Sequence, residues 1–265
     1  MLNFIAQGTA TDRTPLLIAP GLFGSGRNWG VIAKRLSDTR RVFAVDMRNH
    51  GDSFWDADHG YAAMAGDLAE VISAEGMRAP RIGDMARQAD VMGHSMGGKA
   101  AMTLALTQPD LVRRLVIADI APVAYTHSHD GLIDAMRGMD LSDLTSRSEA
   151  DRRLSERISD AGVRAFLLQS LELREGPVRW KLNLDVLDAA MEAITGWQDP
   201  EGQPQFDGPA LFLYGKNSNY VLEEHRAHIL DLFPRAEFIG IDGAGHWLHA
   251  EKPREVEAAV EAFLS

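Results

Sequence analysis

Apolar residues along the chain gather in short runs that end in Gly, Pro, Asp or Asn: residues 16–19, 42–45, 89–92, 115–118, 211–214 and 238–241. Runs of four to eight residues that are apolar throughout predict strands of a parallel sheet covered on both faces. Between them, apolar positions recur at helical spacing over 28–36, 61–75, 96–107, 222–232 and 254–264, the last with Pro253 at its start. Strands alternating with helices predict a doubly wound α/β architecture. A further strand over 3–6 is more weakly marked.

One stretch breaks the alternation. Between about 122 and 206 no strand run occurs, and apolar residues follow a helical period: Leu132, Ile133, Met136 and Met139, then Phe166, Leu167 and Leu171, then Leu187, Met191 and Ile194. The pattern predicts an insertion of three or four helices at 122–206, within a core made of 1–121 and 207–265. The insertion follows the carboxyl end of a strand, where open α/β sheets bind ligands. It is therefore expected to act as a cap, with Met136 and Phe166 facing the substrate.

Residues 93–97 read Gly-His-Ser-Met-Gly, after an apolar strand and before a helix-forming run. That context makes Ser95 a candidate nucleophile at a tight strand-to-helix turn, with the Met96 amide aimed at a developing oxyanion. The segment Pro20-Gly21-Leu22-Phe23-Gly24 follows an earlier strand. Its glycines let the backbone approach the substrate, so the Leu22 or Phe23 amide is the candidate second donor. A serine hydroxyl needs a base. His246 follows the last strand in Gly243-Ala244-Gly245-His246 and is favoured over His249. His94 is read as a packing residue. His225 and His228 lie three apart on one helix face without a third ligand, so a solvated face and no metal site is expected, and His127-Ser128-His129 in the insertion is likewise read as without a site role.

Composition narrows the partners. With 27 Lys+Arg against 38 Asp+Glu, the chain of 265 residues carries a formal charge of −11, which disfavours nucleic acid. The absence of cysteine removes disulfides and thiol nucleophiles. No signal-peptide pattern opens the chain, and no apolar run approaches the ~20 residues of a membrane helix. A soluble, cytoplasmic protein without a cofactor is expected. The oligomeric state is left open.

The segments PGLFGSGRNW, VDMRNHGDS, GHSMGGKAAM, ADIAPVAY, LFLYGKNSNYV and GAGHWLHAEKP together resemble α/β-hydrolase esterases. The resemblance is to the YbfF-like bacterial group and the related animal abhydrolase domain-containing protein 11. It covers nearly the whole chain. It implies an eight-stranded sheet, a helical cap and hydrolysis of an acyl ester or thioester, with Ser95 and His246 in the reacting positions. Pro20 departs from the pattern: many members carry His there, so a hydrogen bond anchoring the loop is lost.

The acid is less direct. The fold usually supplies it after the strand at 211–214, but Gly215-Lys216-Asn217-Ser218-Asn219-Tyr220-Val221 holds no carboxylate. Asp119, ending the strand that should neighbour the nucleophile strand, is favoured as the third member of a Ser-His-Asp set, with Glu223 and Asp207 as alternatives. Asp46 is read as a loop organiser. Arg48, Asn49 and His50 either touch substrate or form a buried polar network. The same residues could serve perhydrolysis or carbon–carbon hydrolysis. A small-molecule receptor on the same fold is the rival from another class.

Overall fold

The computed structural model describes residues 1–74, 88–126, 129–174, 176–202 and 204–265. Its elements run β1 (Phe4–Gln7), β2 (Leu16–Ala19), α1 (Gly30–Leu36), β3 (Val42–Val45), α2 (Tyr61–Ala74), β4 (Ala89–His94), α3 (Met96–Thr107) and β5 (Val112–Ala118). There follow α4 (Asp130–Arg137), α5 (Arg147–Leu154), α6 (Ala161–Leu167), β6 (Leu171–Glu172), β7 (Arg179–Trp180), α7 (Leu184–Ala189) and α8 (Met191–Thr195). The chain closes with β8 (Ala210–Gly215), α9 (Arg226–Leu232), β9 (Ala236–Ile241), α10 (Leu248–Glu251) and α11 (Pro253–Leu264).

Seven strands form the main sheet in the order β1-β3-β2-β4-β5-β8-β9. β1 lies antiparallel to β3, and every other neighbouring pair is parallel. The expected count of eight is therefore corrected to seven among the described residues: the six apolar runs and the weakly marked segment near the start each form one strand, and there is no run for another. Along β2, Leu16 and Ile18 pack on one face of the sheet and Leu17 on the other. This is the two-residue period of a sheet buried on both sides. One layer holds Ile32 of α1 with Val256 and Val260 of α11. The other holds Leu68 of α2, Met102 of α3 and Ile229 of α9, and continues into Ile133 and Leu187 of the 122–206 stretch. Each such side chain withdrawn from water contributes about 1.5–3 kcal/mol.

Among its described residues the stretch from 122 to 206 holds five α-helices rather than three or four, plus a two-residue antiparallel ladder, Leu171–Trp180 and Glu172–Arg179. A pairing that short leaves no alternating pattern in a sequence. Two of the helices begin on side-chain caps: Ser146 accepts from the Glu149 amide and Asp160 from the Val163 amide. The stretch is tied to the loop after β3 by backbone bonds, Gly51 N–H to Lys181 O at 2.8 Å and Asn183 N–H to Asn49 O at 3.0 Å. The predicted helix over 61–75 ends at Ala74, the last described residue before 88. Among the described residues no helix is long and apolar enough to cross a membrane.

Sheet order reverses between β2 and β4. The chain steps from β2 outward to β3, then returns to β4 on the other side of β2. Loops leaving the carboxyl ends of β2 and β4 therefore part there and open a crevice. Near the amino end of β4, the buried Asp90 carboxylate accepts from Arg40 Nη1 at 3.1 Å and from Arg113 Nε and Nη2 at 2.7 and 2.6 Å. Arg40 Nη2 also reaches the Leu264 carbonyl at 3.2 Å, tying the end of α11 to the sheet. Removing a partner from such a buried pair costs about 3–5 kcal/mol. Asp90→Ala is thus expected to lower stability by about that amount in denaturant titration, while the folded fraction keeps its specific activity.

Candidate active site

Ser95 sits between β4 and α3 with φ 52° and ψ −122°, outside the ordinary regions for a side-chain-bearing residue. The flanking glycines are required by space. A Cβ on Gly93 would strike the Gly97 carbonyl, and one on Gly97 would strike the Ala19 carbonyl of β2. Ser95 N–H donates to Ala118 O of β5 at 3.2 Å, which fixes the turn against the neighbouring strand. The elbow lies at the crevice where the sheet order reverses.

Asp119 follows β5, fully buried and also left-handed with φ 51°. Its Oδ2 lies 2.8 Å from His246 Nδ1, and its Oδ1 accepts from Gly215 N–H at 2.9 Å. Ser218 Oγ donates to Oδ2. A carboxylate cannot donate, so His246 carries a proton on Nδ1, and in the neutral ring Nε2 is the acceptor. His246 is held in two further ways. Tyr220 stacks on its ring at 3.9 Å, and His94 Nε2–H donates to its carbonyl at 2.9 Å. Glu223 and Asp207 stand elsewhere: Glu223 is exposed and pairs with Arg226, and Asp207 is exposed near Arg235.

Two cavities meet at Ser95. One is lined by Leu132, Val163, Phe166, His246 and Trp247. The other is lined by Leu22, Met96, Ile120, Tyr125 and Tyr220. Leu22 borders both. The Met96 amide opens α3, where helix amides have no acceptor within the helix. Of the two expected loop donors, the Phe23 amide is already committed, because its N–H donates to His50 Nε2 at 3.1 Å. That correction leaves the Leu22 amide as the loop's candidate donor. Phe166 lines the first cavity, but Met136 does not. Met136 is buried in the core, and its carbonyl accepts from Trp180 Nε1 at 3.0 Å. Leu132, one turn earlier on α4, takes the position expected of Met136.

The remaining candidates sit in packing and hydrogen-bond networks. Asp46 accepts from the amides of Gly26 and Asp52 and from Asn3 Nδ2. Arg48 makes a two-pronged contact with Asp67, so this loop is a buried network. Burial lowers His50 and His249 to about 4 and His59 to about 3, which keeps all three neutral near pH 7. His249 stacks on Trp29 at 4.3 Å. His225 accepts from the Leu222 amide, and His228 faces Asp199 at 3.2 Å. Among the described residues no group of three metal-ligating side chains occurs. His127 and Ser128 lie outside the described residues. Lys99, not singled out from sequence, donates to the carbonyls of Thr195 and Gly196, and burial lowers it to about 7. Ser218, too, is not singled out from sequence. Its signal was a loop that lacks a carboxylate yet offers a hydroxyl.

Comparison with known proteins identifies the fold family. Residues 14–253 match the family model described as alpha/beta hydrolase fold. Esterase YbfF of Escherichia coli (strain K12) is 39% identical over 267 residues, covering 100% of this chain and 99% of that protein. The sn-1-specific diacylglycerol lipase ABHD11 of Mus musculus is 41% identical over 253 residues, covering 92% of this chain and 79% of that protein. A solved marine microorganism esterase superposes with a TM-score of 0.91 at 36% identity, covering 99% of this chain and 98% of its own. Elbow, sheet order and sequence kinship agree, and the chain belongs to the α/β-hydrolase family.

Proposed function

We propose that this carboxylic ester hydrolase works through an acyl-enzyme on Ser95, with His246 as general base and acid and Asp119 as its carboxylate partner. The observation that carries the reading is the 2.8 Å contact between Asp119 Oδ2 and His246 Nδ1, at the cavity where Ser95 stands on a strained elbow. With the proton held on Nδ1, Nε2 is free to take the Ser95 proton as Oγ attacks the acyl carbonyl. The oxyanion then accepts from the Leu22 and Met96 amides. His246 returns the proton to the leaving alcohol or thiol. Water, activated by the same nitrogen, attacks the acyl-enzyme and frees Ser95 with the carboxylic acid as product.

The substrate class follows from the walls. Leu132, Val163, Phe166 and Trp247 favour an apolar acyl chain, as ester or thioester. Residues 122–206 act as a cap over it. The names esterase and diacylglycerol lipase among relatives are compatible with such a chain.

Wild-type enzyme should turn over p-nitrophenyl esters well beyond one equivalent, whereas a receptor would stop near one. A fluorophosphonate should label Ser95, and Ser95→Ala should abolish labelling and lower kcat by on the order of 10⁴-fold or more. Persistent labelling of the folded variant would move the nucleophile elsewhere. Asp119→Asn should lower kcat by at least about 10²-fold with folding retained, while Glu223→Gln and Asp207→Asn stay within about 3-fold. Near-normal turnover by Asp119→Asn would reduce that residue to a loop cap. Phe166→Ala should shift preference along a chain-length series of esters. Met136→Ala should lower stability by about 2–5 kcal/mol without shifting it. A uniform loss across the series in Phe166→Ala would contradict the cavity assignment.

A further inference from the structure

The Gly21–Gly24 segment is a four-residue turn, closed by Gly24 N–H to Gly21 O at 3.0 Å. Phe23 is its third residue and has φ 63°, a conformation that favours glycine. Something must hold a phenylalanine there. Its N–H donates to His50 Nε2 at 3.1 Å, and its carbonyl accepts from Ser170 Oγ at 2.8 Å. The tautomer of His50 is set by geometry. Nδ1 lies 2.9 Å from the Arg48 carbonyl, which can only accept, so the proton is on Nδ1 and Nε2 offers a lone pair. His50 is fully buried, faces Asp46 and Arg48, and packs its ring on His59 at 5.7 Å. Its own backbone is fixed by His50 N–H to Met47 O at 3.0 Å and by an antiparallel bridge to Leu182.

We propose that His50 is a positioning residue for the oxyanion site: by accepting the Phe23 N–H it holds the turn so that the preceding amide, Leu22, faces the reacting carbonyl. The inference rests on the serine-hydrolase reading above. It also accounts for how the turn is anchored with Pro20 at its head. The Phe23 amide is the anchor of the turn, and Leu22 is the donor.

The test compares two substitutions. The side-chain oxygen of His50→Gln can reach the place of Nε2. His50→Asn reaches only the place of Nδ1, keeping the bond to Arg48 and losing the one to Phe23. With p-nitrophenyl acetate, His50→Asn should lower kcat by about 10–10²-fold, somewhat less than loss of a donor itself, with KM changed by less than about 3-fold. Affinity for a trifluoromethyl ketone, which forms a tetrahedral adduct on Ser95, should weaken by a similar factor. His50→Gln should recover kcat to within about 5-fold of wild type. A merely structural role would not make kcat and adduct affinity fall together at constant KM and then return with Gln.

A folded His50→Asn with wild-type kcat and inhibitor affinity overturns the inference, as does a Gln variant no better than Asn. If His50→Asn does not fold, Ser170→Ala decides, because it frees the opposite side of Phe23. The same paired loss supports the inference, and unchanged kcat overturns it. If Ser95→Ala keeps its turnover, the hydrolase reading itself has failed. If Ser95→Ala is inactive and His50→Asn is not, only the role of His50 has.

Discussion

The buried Asp119 carboxylate is the interaction on which the site depends. A charge without solvent is costly unless donors surround it. Here they come from two other segments: the Gly215 amide and Ser218 hydroxyl after β8, and the His246 imidazole after β9. The residue itself ends β5, whose neighbour β4 carries Ser95. Satisfying one carboxylate therefore brings the loops of three adjacent strands into register with the nucleophile elbow. It also fixes which nitrogen of His246 faces the carboxylate.

Strain is gathered in the same region. Phe23, Asn49, Ser95 and Asp119 are the non-glycine residues with positive φ among those described. Each such conformation costs roughly 1–3 kcal/mol and persists only where the surroundings over-determine it. Ser95 is held by the close approach of Gly93 and Gly97 to backbone, Asp119 by its three donors, and Phe23 by His50 and Ser170. The Asn49 side chain bonds the Asp56 amide and carbonyl and meets Asn183. The core on both faces of the sheet supplies the stability against which these distortions are set.

Much of this was legible in the sequence because it is written in local terms. Apolar runs mark the strands, and the glycines around Ser95 mark the elbow. The missing carboxylate after β8 directed attention to Asp119, which the structure brings within 2.8 Å of His246. Features that depend on distant partners were not legible. The eighth strand came from resemblance and has no apolar run behind it. The β6–β7 ladder is too short to leave a period. Helical spacing marked Met136 as buried but could not show that it stays in the core while Leu132 lines the cavity. Likewise, no pattern near Phe23 reveals that its amide is taken by a histidine 27 positions later.

In the proposed mechanism Ser95, His246, Asp119 and the amides of Leu22 and Met96 act on one carbonyl. The most direct measurement is a crystal structure of the enzyme after reaction with a fluorophosphonate. The account predicts phosphorus bonded to Ser95 Oγ. One phosphoryl oxygen should lie about 2.7–3.1 Å from both the Leu22 and Met96 amides, with His246 Nδ1 still on Asp119. An adduct on another residue, or a phosphoryl oxygen turned away from both amides, would contradict it.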